Sequence, residues 1–474
     1  MKNVALHNLG CKVNAYEIEV MQQNLQEKGY QIVPFAPGAD IYIINTCTVT
    51  NIADRKSRQM LHKAKKMNPE AIVVATGCYV QTGTEEVVMD ECIDLAIGNN
   101  KKKDLLPILE QFIEEQKEEH EEILKSQKTL HDTTIIDINH TSEYEEMTLT
   151  YAGEHTRAYI KVQDGCNQFC SYCIIPFARG RVRSRKQEAV INEIKGLVSR
   201  GYQEVVITGI HLSSYGIDFV SGDKGDYLEI KEENKGIKDA RAIAFEKKYL
   251  LNLIKQIHQI DGLERIRLGS LEPRIITKEF ATELSNMEKI CPHFHLSLQS
   301  GCDATLKRMN RHYTAEEYKE KVEILRTVFD NPAITTDVIV GFPDESNEEF
   351  VETKKFLEII RFYEMHIFKY SKRHGTVAAS MVNQVQDHIK AKRSEVLLEL
   401  EKEQSLSYRE NYIGKTVKVL IEESKVIDGK SYQVGHTTTY IKVAISSEKD
   451  MSNQIVEGKV VGLLTNQVLF MKTN

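Results

Sequence analysis

The chain has 474 residues, 41% hydrophobic and 28% charged, with a formal net charge of −7, which suits two to four globular domains and excludes a uniformly basic nucleic-acid binder. No apolar run reaches the roughly 18 residues of a membrane helix, and the opening MKNVALHNLGC lacks a signal-peptide layout. Nine irregularly spaced cysteines then point to a reducing cytoplasm, as metal ligands or buried thiols rather than disulfides.

Residues 1–103 read as a small α/β unit. Apolar runs at 4–9, 41–45 and 72–76 predict strands, and patterns at 16–28 and 52–66 predict helices. Strands alternating with helices imply a parallel sheet. One cysteine follows each strand: Cys11 after NLG, Cys47 after INT and Cys78 after ATG. Parallel strands carry all three to the carboxyl edge, where open α/β sheets bind ligands. Topology thus converts three distant thiols into one candidate ligand set. Cys92 falls outside the pattern and reads as structural. The basic residues Arg55, Lys56, Arg58, Lys63, Lys65 and Lys66 spread around more than one face of the helix after Cys47 and read as solvated surface.

Residues 104–150 read as a linker: an acidic helical stretch and then an extended connection, a solvated spacer. Strand–helix alternation resumes in the next unit, 151–405. Strands are predicted at 157–162, 204–210, 265–271, 294–300, 335–342 and 365–371, with helices at 188–200, 249–260, 278–287, 315–329 and 348–360. Six such units make an open, partial (β/α)6 barrel. Residues 218–246, rich in Gly, Lys and acids, read as a surface insertion.

Directly after the first strand of this barrel comes DGCNQFCSYC, with Cys166, Cys170 and Cys173 spaced C-x3-C-x2-C. That position is the carboxyl-end mouth, the face on which barrels carry chemistry. Three thiolates at this spacing can wrap one cubane iron–sulfur cluster and leave its fourth iron open. Zinc would need a fourth ligand nearby, and Asn167, Gln168, Ser171 and Tyr172 are poor candidates. Polar or glycine residues close other strands at the same mouth: Gly209, Ser270, Glu272, Gln299, Ser300 and Asp337 are candidate contacts for a cofactor bound there. Arg179, Arg181, Arg183 and Arg185 alternate through RGRVRSRK. If extended they would share one face, a basic stripe suited to an RNA backbone.

A helix at 387–410 leads to the last unit, 406–474. Short strands at 416–421, 438–445 and 459–464 between glycines predict a small β-barrel.

The cysteine spacing at 166–173 resembles the cluster motif of radical S-adenosylmethionine (radical SAM) enzymes. Nearly the whole chain resembles one branch of them, the radical SAM methylthiotransferases. CIIPFARGRVRSR, HLSLQSGCDATLKRMNR, TDVIVGFPDES and FKYSKRHGTVAAS are similar to that family's segments, and NYIGKTVKVLIEE and VGHTTTYIKV look like its RNA-binding TRAM barrel. The resemblance implies two 4Fe-4S clusters, with Cys11, Cys47 and Cys78 holding the auxiliary one. Cys166, Cys170 and Cys173 would hold the catalytic one, whose open iron takes S-adenosyl-L-methionine. It further implies a first S-adenosylmethionine that methylates sulfur at the auxiliary site. A second is cleaved to a 5′-deoxyadenosyl radical that abstracts hydrogen from carbon two of an adenine. A ring carbon–hydrogen bond is too inert for acid–base chemistry, so a cofactor must carry that step.

LGCKVNAYE and INTCTVTNIADRKSRQ look like the branch acting on threonylcarbamoyladenosine at position 37 of transfer RNA, beside the anticodon. The isopentenyladenosine branch more often reads GCQMN, and the branch modifying a ribosomal-protein aspartate LGCPKN. Both stay open as alternatives, as does a non-catalytic iron–sulfur protein. The implied partners are the tRNA anticodon loop, a sulfur donor and an electron donor such as flavodoxin or ferredoxin, with no membrane. Cys291 and Cys302, which flank HLSLQSG, read as structural.

Overall fold

The computed structural model describes residues 2–122, 132–151, 156–221 and 248–473. Its first sheet is wholly parallel, in the order β2 (Gln31–Ile32), β1 (Asn3–Asn8), β3 (Ile41–Thr46), β4 (Ile72–Gly77), β5 (Leu95–Ile97), β6 (Asp132–Thr134). Every residue of β3 and β4 is buried, as expected for central strands covered on both faces. Helices α1 (Lys12–Glu27), α2 (Asn51–Met67) and α3 (Cys78–Thr82) follow β1, β3 and β4.

The segment expected to be a solvated linker is part of this unit. Its strand β6 extends the sheet. The helix Leu105–Glu122 buries Leu105, Leu109 and Phe112, one apolar stripe at helical spacing. Ile138, Met147 and Leu149 of the following stretch are also buried. Composition alone did not show this stripe.

The second unit is an arc of six parallel strands. β7 (Arg157–Asp164) pairs with β9 (Glu204–Gly209), and β9 with β10 (Arg265–Leu268). β11 (His293–His295), β12 (Ala333–Val340) and β13 (Glu364–Lys369) form the other half. Single bridges, Ile266 to Ile290 and Leu271 to Leu296, join the halves. Only β8 (Arg183–Ser184) runs antiparallel, outside β7. The arc is therefore the open, partial barrel that the strand count implied. Of the expected insertion, residues 222–246 lie outside the described residues.

Alternation along the strands sets the two faces of the arc. Ala158, Ile160, Val162, Val205, Ile207, Ile266, Leu268, Phe294, Leu296, Val338 and Val340 join one apolar core with the surrounding helices. The side chains between them, on the opposite face of the pleat, turn into the arc: Arg157, Lys161, Glu204, Arg267, His293, His295, Asp337 and His366. This lumen is polar and charged, unlike the filled apolar interior of a closed barrel.

The last five strands close a barrel in the order β14 (Thr416–Ile427), β15 (Lys430–Thr437), β16 (Lys442–Ile445), β18 (Val468–Thr473), β17 (Ile455–Thr465). This barrel sits against the amino ends of the arc. Arg265 donates to the carbonyls of His436 (3.0 Å) and Lys418 (2.9 Å), and Arg267 to that of Thr438 (2.9 Å). Ala333 and Tyr363 share the small barrel's apolar core. Among the described residues, no helix is long and apolar enough to cross a membrane.

Candidate functional site

Each of the first three cysteines sits where a parallel strand hands over to a helix. Cys11 is the N-cap of α1, Cys47 follows β3 directly, and Cys78 opens α3. Two glycines make their convergence possible. Gly10 (φ 109°) and Gly77 (φ 101°) adopt backbone that L side chains rarely take. A side-chain carbon at Gly10 would fall 3.0 Å from the Cys47 sulfur, and one at Gly77 only 2.6 Å from the Thr46 carbonyl oxygen. The thiols feel one another: burial, then Cys78 and Cys11, push Cys47 up to about 12. Cys78 Sγ accepts hydrogen bonds from Arg179 Nε (3.3 Å) and Asn99 Nδ2 (3.6 Å).

The second trio lies in the loop after β7. Cys166 N donates to the Gly180 carbonyl (3.0 Å), and Cys173 N closes a turn onto the Cys170 carbonyl (2.9 Å). Burial raises the Cys173 thiol, and Cys170 and Cys166 raise it further. Arg311 Nη1 donates to Cys170 Sγ at 3.3 Å. Each trio therefore carries an arginine N–H on one of its sulfurs, with Cys47, Cys78 and Cys166 buried and Cys11 exposed. Four sulfurs around a single zinc lie roughly 3.8 Å apart, given a Zn–S bond of about 2.3 Å. Among the described residues, the groups of potential ligands drawn within 4.8 Å of one another are His62, Asp90, Cys92 and His295, Asp337, His366. Neither cysteine trio is among them, and three thiols leave a tetrahedral zinc one ligand short, so the donor chemistry of both trios fits a cluster.

The arginine run corrects the sequence expectation. Arg179 ends a short helix, Ile175–Arg179, and only Arg183–Ser184 is strand, so the every-second-residue geometry does not form. Arg179, Arg183 and Arg185 are buried, and Arg181 lies over the Phe169 ring at 4.5 Å. They make no exposed stripe for RNA. Their counter-ions come from far away in sequence, which no local pattern could show. Arg179 Nη1 binds Glu17 (2.5 Å) and Asp164 (3.2 Å), while Arg185 binds Glu146 (2.5 Å) and Glu193. Lys102 and Lys161 also pair with Glu17, and Lys161 with Asp164 (2.7 Å). Burial alone would raise these carboxyls. Arg179, Lys102 and Lys161 hold Glu17 well below its usual range, and Lys161, Arg179 and Arg183 do the same for Asp164. Arg179 thus touches both Cys78 and the carboxylate two residues before Cys166.

The expected cofactor contacts divide. Asp337 faces the lumen, where His295 (3.2 Å) holds its carboxyl low against the effect of burial. Gln299 turns at φ 74° beside it, its N–H on the Asp337 carbonyl (2.9 Å). Glu272 holds Arg274 at 2.6 Å, and Ser270 is exposed. Ser300 is buried on Thr353 (3.1 Å), and Gly209 packs against Gln163, where a side-chain carbon would meet Gln163 Oε1 at 2.9 Å. Those two serve packing. Sequence reasoning gave no role to Arg311, Asn99, His295 or Lys12. Lys12, next to Cys11, is exposed at the start of α1.

Comparison with known proteins adds the following. Residues 3–98 match the model of the uncharacterized protein family UPF0004, and residues 160–357 that of the radical SAM superfamily. The threonylcarbamoyladenosine tRNA methylthiotransferase MtaB of Bacillus subtilis is 37% identical over 97% of this chain and 94% of its own length. Its namesake in Aquifex aeolicus is 38% identical over 97% and 99%. A tRNA-2-methylthio-N(6)-dimethylallyladenosine synthase of Pelotomaculum thermopropionicum is 31% identical over 98% and 96%. The radical S-adenosylmethionine methyltransferase TsrM of Kitasatospora setae shares the fold at 14% identity, with a TM-score of 0.51 over 78% of this chain and 73% of that one.

Proposed function

The chain belongs to the radical SAM tRNA methylthiotransferases, and from that premise we propose that it adds a methylthio group to carbon two of threonylcarbamoyladenosine at position 37 of tRNA. One observation carries the reading: relatives bearing that name align over almost their full length with this chain, in which Arg179 joins Cys78 of one three-cysteine set to Asp164, two residues before the other. The isopentenyl substrate is the second reading, supported by the 31% relative.

Membership in the family brings a 4Fe-4S cluster and S-adenosylmethionine. When bound, a cluster on Cys166, Cys170 and Cys173 would supply the electron that splits S-adenosylmethionine, and a second on Cys11, Cys47 and Cys78 would hold the sulfur to be transferred. The chain's own residues prepare both sites. Arg311 and Arg179 each donate a charged N–H to one thiolate sulfur, Cys170 and Cys78. Such bonds stabilise the more negative state of a site and tune its potential. Asp337 and Gln299 line the mouth where the nucleoside moiety of the cofactor would lie. The adenine enters the polar lumen from the open side of the arc. The small β-barrel contributes RNA contacts, and a flavodoxin- or ferredoxin-type donor and a separate sulfur source complete the set of partners.

The test is expression in a bacterium lacking tRNA methylthiolation, with mass spectrometry of digested nucleosides. The wild-type chain should produce methylthio-threonylcarbamoyladenosine. Alanine at Cys166, Cys170 and Cys173 should abolish cofactor cleavage. Alanine at Cys11, Cys47 and Cys78 should leave cleavage and remove sulfur insertion. Methylthiolation of isopentenyladenosine instead would overturn the substrate, and no new nucleoside from an iron-loaded chain would overturn the reading.

A further inference from the structure

Two buried arginines tie the first domain to the arc, one beyond each of its end strands, β7 and β13. On the β7 side, Arg179 donates to Cys78 Sγ and, through Nη2, to Asn14 Oδ1 (2.5 Å) in the first turn of the helix that Cys11 caps. On the β13 side, Arg373 reaches the loop that carries Cys47. Its Nη1 donates to Asn51 Oδ1 (2.6 Å) and pairs with Asp54 (2.6 Å), and its Nη2 donates to Thr48 Oγ1 (2.6 Å). The neighbouring chain adds two contacts. Asn51 N donates to Ser371 Oγ (3.0 Å), and Asn51 Nδ2 to the Lys372 carbonyl (3.1 Å). Asn51 opens α2, so the first of these satisfies a backbone donor that a helix start leaves without an internal partner. The same helix grips Cys47: Ser57 Oγ donates to the Cys47 carbonyl (3.0 Å) and accepts from its N–H (3.2 Å). Contacts thus run without a break from the end of β13, through Arg373 and the start of α2, to the backbone of Cys47.

We infer that Arg373 is a positioning residue: it latches the Cys47 loop to the last strand of the arc and so fixes the set Cys11, Cys47 and Cys78 relative to the set Cys166, Cys170 and Cys173. The inference rests on the two-cluster reading above and adds what sets the spacing of the two sites. Arg179 ties only Cys78 and the start of α1. Among the described residues, every hydrogen bond and ion pair from residues 47–54 to the arc goes to residues 371–373. Both sites must act on one adenine, so their separation matters to the transfer and not to cofactor cleavage. Arginine suits the task because one planar fork meets three acceptors in fixed directions, whereas a lysine would keep the charge for Asp54 and lose the fork.

The test uses the full, cluster-loaded chain with an anticodon stem-loop RNA carrying threonylcarbamoyladenosine. The 5′-deoxyadenosine and the methylthio nucleoside are measured in the same reaction, and the separation of the two reduced clusters is measured by pulsed electron paramagnetic resonance without RNA. A misplacement of about 1 Å can cost about 100-fold, so in Arg373→Gln the methylthio product should fall about 10- to 100-fold while 5′-deoxyadenosine stays within about twofold of wild type. The distribution of cluster separations should broaden, with iron per chain unchanged. Arg373→Lys should recover part of both losses. Asn51→Ala, at an exposed position, removes two contacts of the same latch and should shift the product ratio in the same direction. Equal losses of both products, or loss of iron, in both Arg373→Gln and Asn51→Ala would assign the latch to the fold and overturn the inference. So would an unchanged product ratio, or a fallen ratio with an unchanged separation, which would put Arg373 on the RNA instead. A wild type that makes no methylthio nucleoside from this RNA would remove the substrate reading, while the cluster separation still decides the role of Arg373. Iron for only one cluster in the wild type would remove the two-cluster reading, and the inference with it, before any variant is compared.

Discussion

At the scale of single residues, Arg179 is where stability and chemistry meet. It is fully buried, binds Glu17 and Asp164, and donates to the Cys78 sulfur. Arg179→Gln would leave two buried carboxylates under-compensated and one sulfur without its donor. Breaking a buried pair by removing one partner costs about 3–5 kcal/mol, so the variant should melt well below wild type even though Lys102 and Lys161 remain on Glu17. The same network fixes a pH dependence. Glu17 and Asp164 are held below their ordinary range in the folded chain. Their contribution is fully present above the unfolded values, near pH 4, and is lost as pH falls through the folded ones. Denaturant midpoints measured from about pH 6 down to pH 3 should fall with acid in wild type and fall less steeply in Asp164→Asn. An equal slope in the two proteins would show that this network does not govern acid stability.

At the scale of elements, the strand-to-helix junctions do the assembling. Gly77 illustrates it: positive φ and a carbonyl 2.6 Å from any added carbon leave no room for a side chain. Gly77→Ala should cost about 1–3 kcal/mol in strain and shift Cys78, which opens the next helix. Iron content and the spectrum of the site at Cys11, Cys47 and Cys78 should suffer, while cofactor cleavage at the other trio persists. Loss of both together would mean global unfolding instead. These junctions were legible in the sequence because β3 and β4 are continuous apolar runs followed by cysteine. The six strands of the arc were legible for another reason, short apolar-rich runs recurring between helical patterns. The segment 104–150 was not, because β6 is only three residues long and pairs with a strand 35 residues earlier, and composition records the exposed face of a helix more strongly than its stripe. The arginine run misled because alternation implies a shared face only in extended chain. Arg311 and His295 left no signal, since their partners come together only in the folded arc.

At the scale of the whole molecule, the small barrel is part of the arc's own architecture. It supplies the acceptors for Arg157, Arg265 and Arg267, and it buries Ala333 and Tyr363 at the amino ends of β12 and β13. The rings of Tyr440 and His436 stack at 4.5 Å, and the guanidinium of Arg267 lies 4.7 Å from the Tyr440 ring centre. The barrel therefore closes the base of the lumen and fixes the cations Arg157, Arg265 and Arg267 there. A chain ending at Glu410 would expose that base to water and strip two buried arginines, Arg265 and Arg267, and the half-buried Arg157 of carbonyl or carboxylate partners. Each orphaned charged donor costs about 1–3 kcal/mol or more, so the truncated chain should be several kcal/mol less stable and should melt earlier even with no RNA present. The intact chain should accordingly show the small barrel and the arc unfolding together in calorimetry. Two separate transitions, with the arc melting at the same temperature in full-length and truncated chains, would mean that the barrel serves RNA binding alone. Early melting of the truncated arc would mean that the small barrel is part of the architecture of the lumen, so that the arginines at its base cannot be altered without loosening both units.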